Sequence, residues 1–242
     1  MNNNSSFLKD IKLVFPLTLP VLFGYLALSL AYALVAVEKG FSTGHLASMS
    51  ILAYGGALQM LAVDLFSSGA SLLTLAVTTA VVQARQVAYG LAMVPAYRRT
   101  GKMLPYLAHG LTDETYAILS SVPPPAGVAE NRYRFLVTCL DHLYWVAGTV
   151  IGCALTHLLR RFLTDGSILR GADFALTALF IVLALEQFLA GADRFMFVIA
   201  GGAALLAILL FGADHMLLPA VVFAVAVLLV YNARKGGSSH VA

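Results

Sequence analysis

Long apolar runs separated by short charged clusters set the pattern of this chain. Between Lys12 and Glu38 every residue is uncharged, and the same holds for 46–63 and 65–84, which only Asp64 divides. A helix needs about 20 apolar residues to cross the hydrocarbon core of a bilayer. The runs predict membrane segments at about 13–37, 46–66, 68–95, 104–122, 133–159, 174–192, 195–213 and 215–233. The expected fold class is therefore an all-α, polytopic integral membrane protein. Six to eight segments would form a single transmembrane domain over residues 1–242. The first run exceeds the roughly 7–15 apolar residues of a secretory signal, so it reads as a retained span. Pro16 and Pro20 are expected in its first turns, where a missing N–H costs least.

Two places in the pattern predict irregular backbone. Gly55-Gly56 falls in the middle of 46–66, so that segment is expected to be re-entrant or broken. The cluster Arg98-Arg99-Thr100-Gly101-Lys102 reads as a loop, and Pro123-Pro124-Pro125 ends any helix before it.

Composition narrows the class. Hydrophobic residues make up 60% of the 242 and charged residues 11%, with a mean hydropathy of +0.86. A soluble domain carries roughly 25% charged residues, and a chain this short cannot hide so much apolar surface. Soluble enzymes, disordered chains and secreted disulfide scaffolds are excluded. The net charge of +3 is modest and scattered, giving no nucleic-acid footprint. Cys139 and Cys153, if on one helix, stand about 21 Å apart at 1.5 Å per residue, beyond disulfide reach. They are too few for a zinc site, and no metal or cofactor is expected.

The positive-inside rule asks that 98–102, 132–134, 160–170 and both termini all face the cytoplasm. No simple threading meets every demand. The best compromise starts inside, makes 46–66 re-entrant and brings 98–102 and 160–170 to the cytoplasm. It leaves 132–134 and Arg234-Lys235 on the other side.

Polar residues inside apolar segments are the candidates for chemistry, since a charge at a helix centre costs roughly 2.5–3.5 kcal/mol on insertion scales. Gly55, Gly56 and Gln59 offer open backbone and an amide, as the unwound helices of transporters do, or else a tight helix contact. Gln83 and Arg85 lie between apolar stretches; the guanidinium suits a carboxylate of substrate or protein, or snorkels to the surface. His109 and Asp113 are spaced for one helix face and Glu114 points aside. The two acids can carry a proton or bind an ammonium group, or else the stretch is a helix start capped by Thr112 or Asp113. Asp141, two turns after a loop, is a further proton-coupling candidate, or belongs with His142, Tyr144 and Trp145 to an interfacial belt. Gly148 and Gly152 complete a GxxxG pattern for close helix packing. Glu186-Gln187 is embedded in 174–192, Asp193-Arg194 reads as a loop pair and Asp64 as a hairpin-end residue. No HExxH, GxSxG or P-loop motif is present, so the chain is not expected to be an enzyme or to hydrolyse ATP.

In this order the islands resemble the AzlC family, the large subunit of branched-chain amino-acid exporters. The matching stretches are Phe15-Pro16 through Pro20 with Gly24, Gly55-Gly56-Ala57-Leu58-Gln59, Gln83 through Tyr89, and Leu111 through Ala117. The Trp145 helix with Gly148 and Gly152 also fits. Gln83 departs from the pattern, which has Asn there; the amide is kept with one more methylene. The resemblance implies an inner-membrane exporter of leucine, isoleucine, valine and methionine, with a small, separately encoded AzlD-type membrane subunit. Proton coupling is the expected energy source. An uncoupled channel and the permease half of an ABC transporter are the alternatives, though no cytoplasmic coupling loop of the ABC type is visible.

Overall fold

The computed structural model describes residues 3–162, 194–212, 219–220, 222–224 and 226–227. Helix α1 spans Asn3–Glu38, α2 Thr43–Leu52, α3 Gly56–Ser67, α4 Leu72–Val82 and α5 Ala84–Tyr97. A 3-10 turn, Gly101–Met103, leads into α6, Leu104–His109; then come α7, Asp113–Ser121, α8, Glu130–Phe162, and α9, Arg194–Phe211. Every element among the described residues is helical. Among the described residues two stretches are long and apolar enough to cross a membrane, Phe7–Glu38 and Glu130–Arg161. The expected segments 174–192 and most of 215–233, with Glu186, Gln187 and Arg234-Lys235, lie outside the described residues.

The described residues fall into two compact units. In the first, which holds 3–71 and 82–162, α1 and α8 form the frame. Asp10 meets Arg132 (2.5 Å), Thr18 meets Tyr144 (2.9 Å), and Glu38 takes Arg160 (2.8 Å). The numbering rises together on both helices, so they run parallel. Small residues permit the close approach. A Cβ on Gly152 would stand 2.7 Å from Ala33 Cβ and 3.1 Å from Leu30 Cα, and one on Gly148 would collide with Ser29 Oγ. The GxxxG pattern is thus a packing seam. Pro16 and Pro20 sit well inside α1 and not in its first turns, because the helix begins at Asn3. Membrane helices tolerate such prolines when neighbours re-satisfy the backbone. Beside Pro16, Thr18 bonds back to the Phe15 carbonyl (3.0 Å).

Two helical hairpins enter this frame from opposite ends. Thr43 at the start of α2 is bonded to His157 (3.3 Å), and Asp64 near the end of α3 is paired with Lys39. Between them the chain reaches the middle of α8, where Gly56 and Gln59 touch Trp145. The α2–α3 hairpin thus enters and leaves at the Glu38 end. The α6–α7 hairpin does the reverse. Asn131 holds the Arg99 carbonyl (2.9 Å) just before α6, and Tyr133 holds the Val122 carbonyl (3.0 Å) just after α7. Its tip, Gly110–Thr112, lies at mid-frame, where Gly110 packs on Thr138. Segment 46–66 is therefore broken, at Ala53–Gly55.

The expected segments 68–95 and 104–122 are each built from more than one helix. The first is interrupted at Gln83 and the second at Gly110–Thr112. Thr112 takes extended backbone and caps α7 through Thr115 N, so the second helix restarts there. The loop 98–102 and residues 132–134 share the Asp10 end, and 160–161 sit at the other, so the compromise threading is also corrected. Cys139 and Cys153 are both on α8 and free.

In the second unit, α9 buries Ala203 and Ala207, one turn apart, while Leu205 and Leu209 are exposed. Leu72 and Leu73 of α4 are exposed as well. Outward leucines of this kind suit contact with lipid.

Candidate functional site

Three helix interruptions meet beside the middle of α8: Tyr54-Gly55, Gln83 and Gly110–Thr112. Gly55 lies so close to Gln83 that a Cβ there would stand 2.8 Å from its Nε2. Tyr54 has a φ of +36°, a left-handed backbone rare for a bulky residue, which is how the chain reverses out of α2. Its ring packs 4.3 Å from that of His142. The hairpin tips touch directly, because His109 at the end of α6 bonds the Ile51 carbonyl (3.1 Å). His142 bonds the Ser50 carbonyl (3.3 Å) and Tyr106 (3.3 Å). The two histidines thus serve the last carbonyls of α2, which have no helical partner.

The same breaks bring helix N-termini together. Those of α3 and α5 begin at Gly55 and Gln83 without a side-chain cap, and α7 begins at Thr112. Each carries about half a positive charge, and Arg85 adds a full one. Facing them are Asp113, Glu114 and Asp141. Arg85 Nη1 is 2.5 Å from Asp113 Oδ2, joining the first turns of α5 and α7. Tyr89 and Tyr116 stack beside that pair at 4.6 Å. His109 and Asp113 do not share a helix face, because the chain breaks between them; that expectation is corrected.

Asp141 is fully buried, as is Trp145, so neither belongs to an interfacial belt. Asp141 Oδ2 accepts from Thr115 (2.7 Å), and among the described residues Oδ1 has no hydrogen-bond partner. The Tyr54 hydroxyl, close to the Tyr25 phenol, is also buried with no assigned partner among the described residues. Trp145 donates to Gln59 Oε1 (2.8 Å), and Gln59 Nε2 donates to Ser50 (3.0 Å), which contacts Thr149 (2.9 Å). Gln59 is thereby committed to the protein at both ends of its amide. Gln83 bonds Gln86 (3.1 Å).

The eight residues expected from sequence to bind substrate or carry a proton, Gly55, Gly56, Gln59, Gln83, Arg85, Asp113, Glu114 and Asp141, lie at or beside this junction. Sequence reasoning missed Tyr25, Tyr54 and Thr115. Tyr25 and Tyr54 look like ordinary apolar-segment tyrosines, and only Thr115's place three residues after a capping Thr marked it. Among the described residues no three His, Cys, Asp or Glu side chains converge as metal ligands.

The sequence matches the AzlC protein family over residues 20–159. An uncharacterized membrane protein of Helicobacter pylori is 35% identical, over 93% of this chain and 96% of its own. The branched-chain amino acid transport protein AzlC of Bacillus subtilis is 33% identical, over 95% of this chain and 88% of its own. The inner membrane protein YgaZ of Escherichia coli is 30% identical over 56% of each chain. No solved structure gives a significant match. With matches of this extent to membrane proteins throughout, the chain is an integral membrane protein that belongs to the AzlC family.

Proposed function

We propose that the chain is the large subunit of a secondary exporter that moves leucine, isoleucine, valine and methionine out across the inner membrane. It is not an enzyme. The carrying observation is the meeting of two opposed hairpin tips and a third break beside a buried carboxylate. Discontinuous helices at mid-membrane are where secondary transporters bind substrate and coupling ion. The name of the Bacillus subtilis relative supports the substrate class.

In this reading the substrate carboxylate docks at the uncapped backbone of Gly55-Gly56 and Gln83, beside Arg85. Binding there competes with the Arg85–Asp113 pair, so the site exchanges one carboxylate partner for another. Asp113 and Glu114 receive the ammonium group or a proton, and Asp141 is the buried proton carrier. Gln59 acts by holding Trp145 against Gly56. The substrate's side chain meets tolerant apolar walls, since one methylene is worth only about 1–3 kcal/mol of discrimination. A small AzlD-type membrane subunit completes the exporter.

The test is leucine efflux from proteoliposomes, with and without that subunit, under an imposed pH gradient. An inward proton gradient should drive efflux against a leucine gradient, and a protonophore should stop it. Flux that never runs uphill would identify a channel. Strict dependence on ATP and a soluble ATPase would identify the permease half of an ABC system.

A further inference from the structure

The three carboxylates of the junction are not equivalent. Asp113 is tied to Arg85, Glu114 is half-buried, and Asp141 is sealed from solvent. A sealed acid exchanges protons only along a path of donors and acceptors.

A file of hydroxyls in contact joins Glu114 to Asp141. Glu114 Oε2 accepts from Tyr25 (2.7 Å), and the Tyr25 hydroxyl lies 2.7 Å from Thr112 Oγ1. Thr112 donates to Thr115 (3.1 Å), and Thr115 donates to Asp141 Oδ2 (2.7 Å). All three hydroxyl residues are buried. They come from three places: α1, the α6–α7 tip and the first turn of α7. At its far end the file stops on a carboxylate whose other oxygen is buried and unbonded. Saturating Asp141 would require a partner there too, so the file leads to an acid still able to take or give a proton.

We infer that Tyr25, Thr112 and Thr115 form a relay that carries a proton between Glu114 and Asp141. This rests on the proton coupling proposed above and names its path. When Glu114 takes up a proton, the Tyr25 O–H turns from Glu114 Oε2 to Thr112 Oγ1; Glu114 then gives its carboxyl proton to the Tyr25 oxygen as Tyr25 passes its own to Thr112. Thr112 passes a proton to Thr115, and Thr115 to Asp141 Oδ2. One proton leaves Glu114, one arrives on Asp141, and each hydroxyl keeps one. Thr112 and Thr115 already point toward Asp141. Resetting the file needs only rotation of three O–H bonds. Among charged and titratable neighbours, Glu114 faces Asp113, with Arg85 behind it. Asp141 lies within electrostatic range of Glu114 and Tyr54, and of Tyr133 and Tyr144 on its own helix. His142 faces α2 and α6 instead.

The experiment follows the infrared band of protonated Asp141 in the full chain in lipid vesicles after a rapid drop in pH. The band is identified by its loss in Asp141→Asn. Thr115→Val should slow its appearance by about 100-fold, the low end of what a positioned proton donor contributes, with the same final amplitude. Thr115→Ser should restore the rate. Tyr25→Phe should slow it likewise while keeping the ring that packs edge-on against Trp145 at 5.3 Å, and it serves if Thr115→Val does not fold. Wild-type rates in both variants would overturn the relay. A changed amplitude at an unchanged rate would also overturn it, since the hydroxyls would then only tune the acid. No Asp141 band at any pH would overturn the relay together with the role of Asp141. Leucine counterflow in the same vesicles, with no pH gradient, separates the two claims. If wild type exchanges no leucine while the relay kinetics hold, the relay stands and the amino-acid reading falls.

Discussion

Gln59 illustrates how a polar residue in an apolar segment is consumed by the fold. Its oxygen accepts from Trp145 and its nitrogen donates to Ser50. Gln59→Leu would leave the indole N–H unpaired in a buried place, at a cost of about 1–3 kcal/mol. The expected result is a lower Tm of the detergent-solubilised protein, checked by thermal unfolding. Asp113 and Glu114 differ in kind. Adjacent carboxylates seldom repay their desolvation, and only Asp113 has a cation beside it. At least one of Asp113→Asn and Glu114→Gln should abolish leucine efflux from vesicles while the protein still reaches the membrane folded. Normal export by both would make these acids structural. Why Arg85 stands in an apolar stretch was legible in outline, because a guanidinium needs an acid. That the acid is Asp113 was not legible, since the break at Gly110–Thr112 decides which way Asp113 faces.

Breaks matter more than helices at the scale of elements. The one at Gly55 was readable because paired glycines weaken a helix. The one at Gln83 was not: Val82-Gln83-Ala84 contains no breaker, and only its polarity stood out. The third was half readable, through Thr112 as a cap. The two glycines of the first break should respond differently to alanine. At Gly55 the new methyl meets the far end of Gln83, a flexible chain able to swing away. At Gly56 it meets the Trp145 ring at 2.8 Å, and that ring is held by Gln59 and packed on Tyr25 and Tyr32. Gly56→Ala should therefore destabilise by about 1–3 kcal/mol, the usual cost of overpacking, with Gly55→Ala well below it. Melting both variants side by side checks the order; equal losses would contradict it.

Over the whole molecule, the contacts sort the charges that sequence could not. Lys9, Lys12, the 98–102 cluster, Arg132 and Arg134 gather at the Asp10 end. At the Glu38 end, the described residues hold fewer basic side chains, Lys39, Arg160 and Arg161. The conflict in the threading arose because the 104–122 segment was taken to cross, whereas it turns back. The positive-inside rule then assigns the Asp10 end to the cytoplasm. A cysteine placed at Ser68, with Cys139 and Cys153 replaced, should react with an impermeant maleimide on intact cells. A cysteine at Arg99 should react only after the membrane is opened. The reverse pattern would invert the orientation.

The parallel pairing of α1 with α8 also sets a timetable for biosynthesis. Asp10 and Glu38 each wait for an arginine 122 residues downstream. At a synthesis rate of roughly 5–20 residues per second, that wait is about 6–24 s. Through that interval α1 lies in the bilayer with Thr18 and Ser29 facing no α8. Helix α1 is thus made well before its permanent neighbour α8 exists. Until then it depends on lipid, the translocon or a chaperone to cover the face that α8 will take.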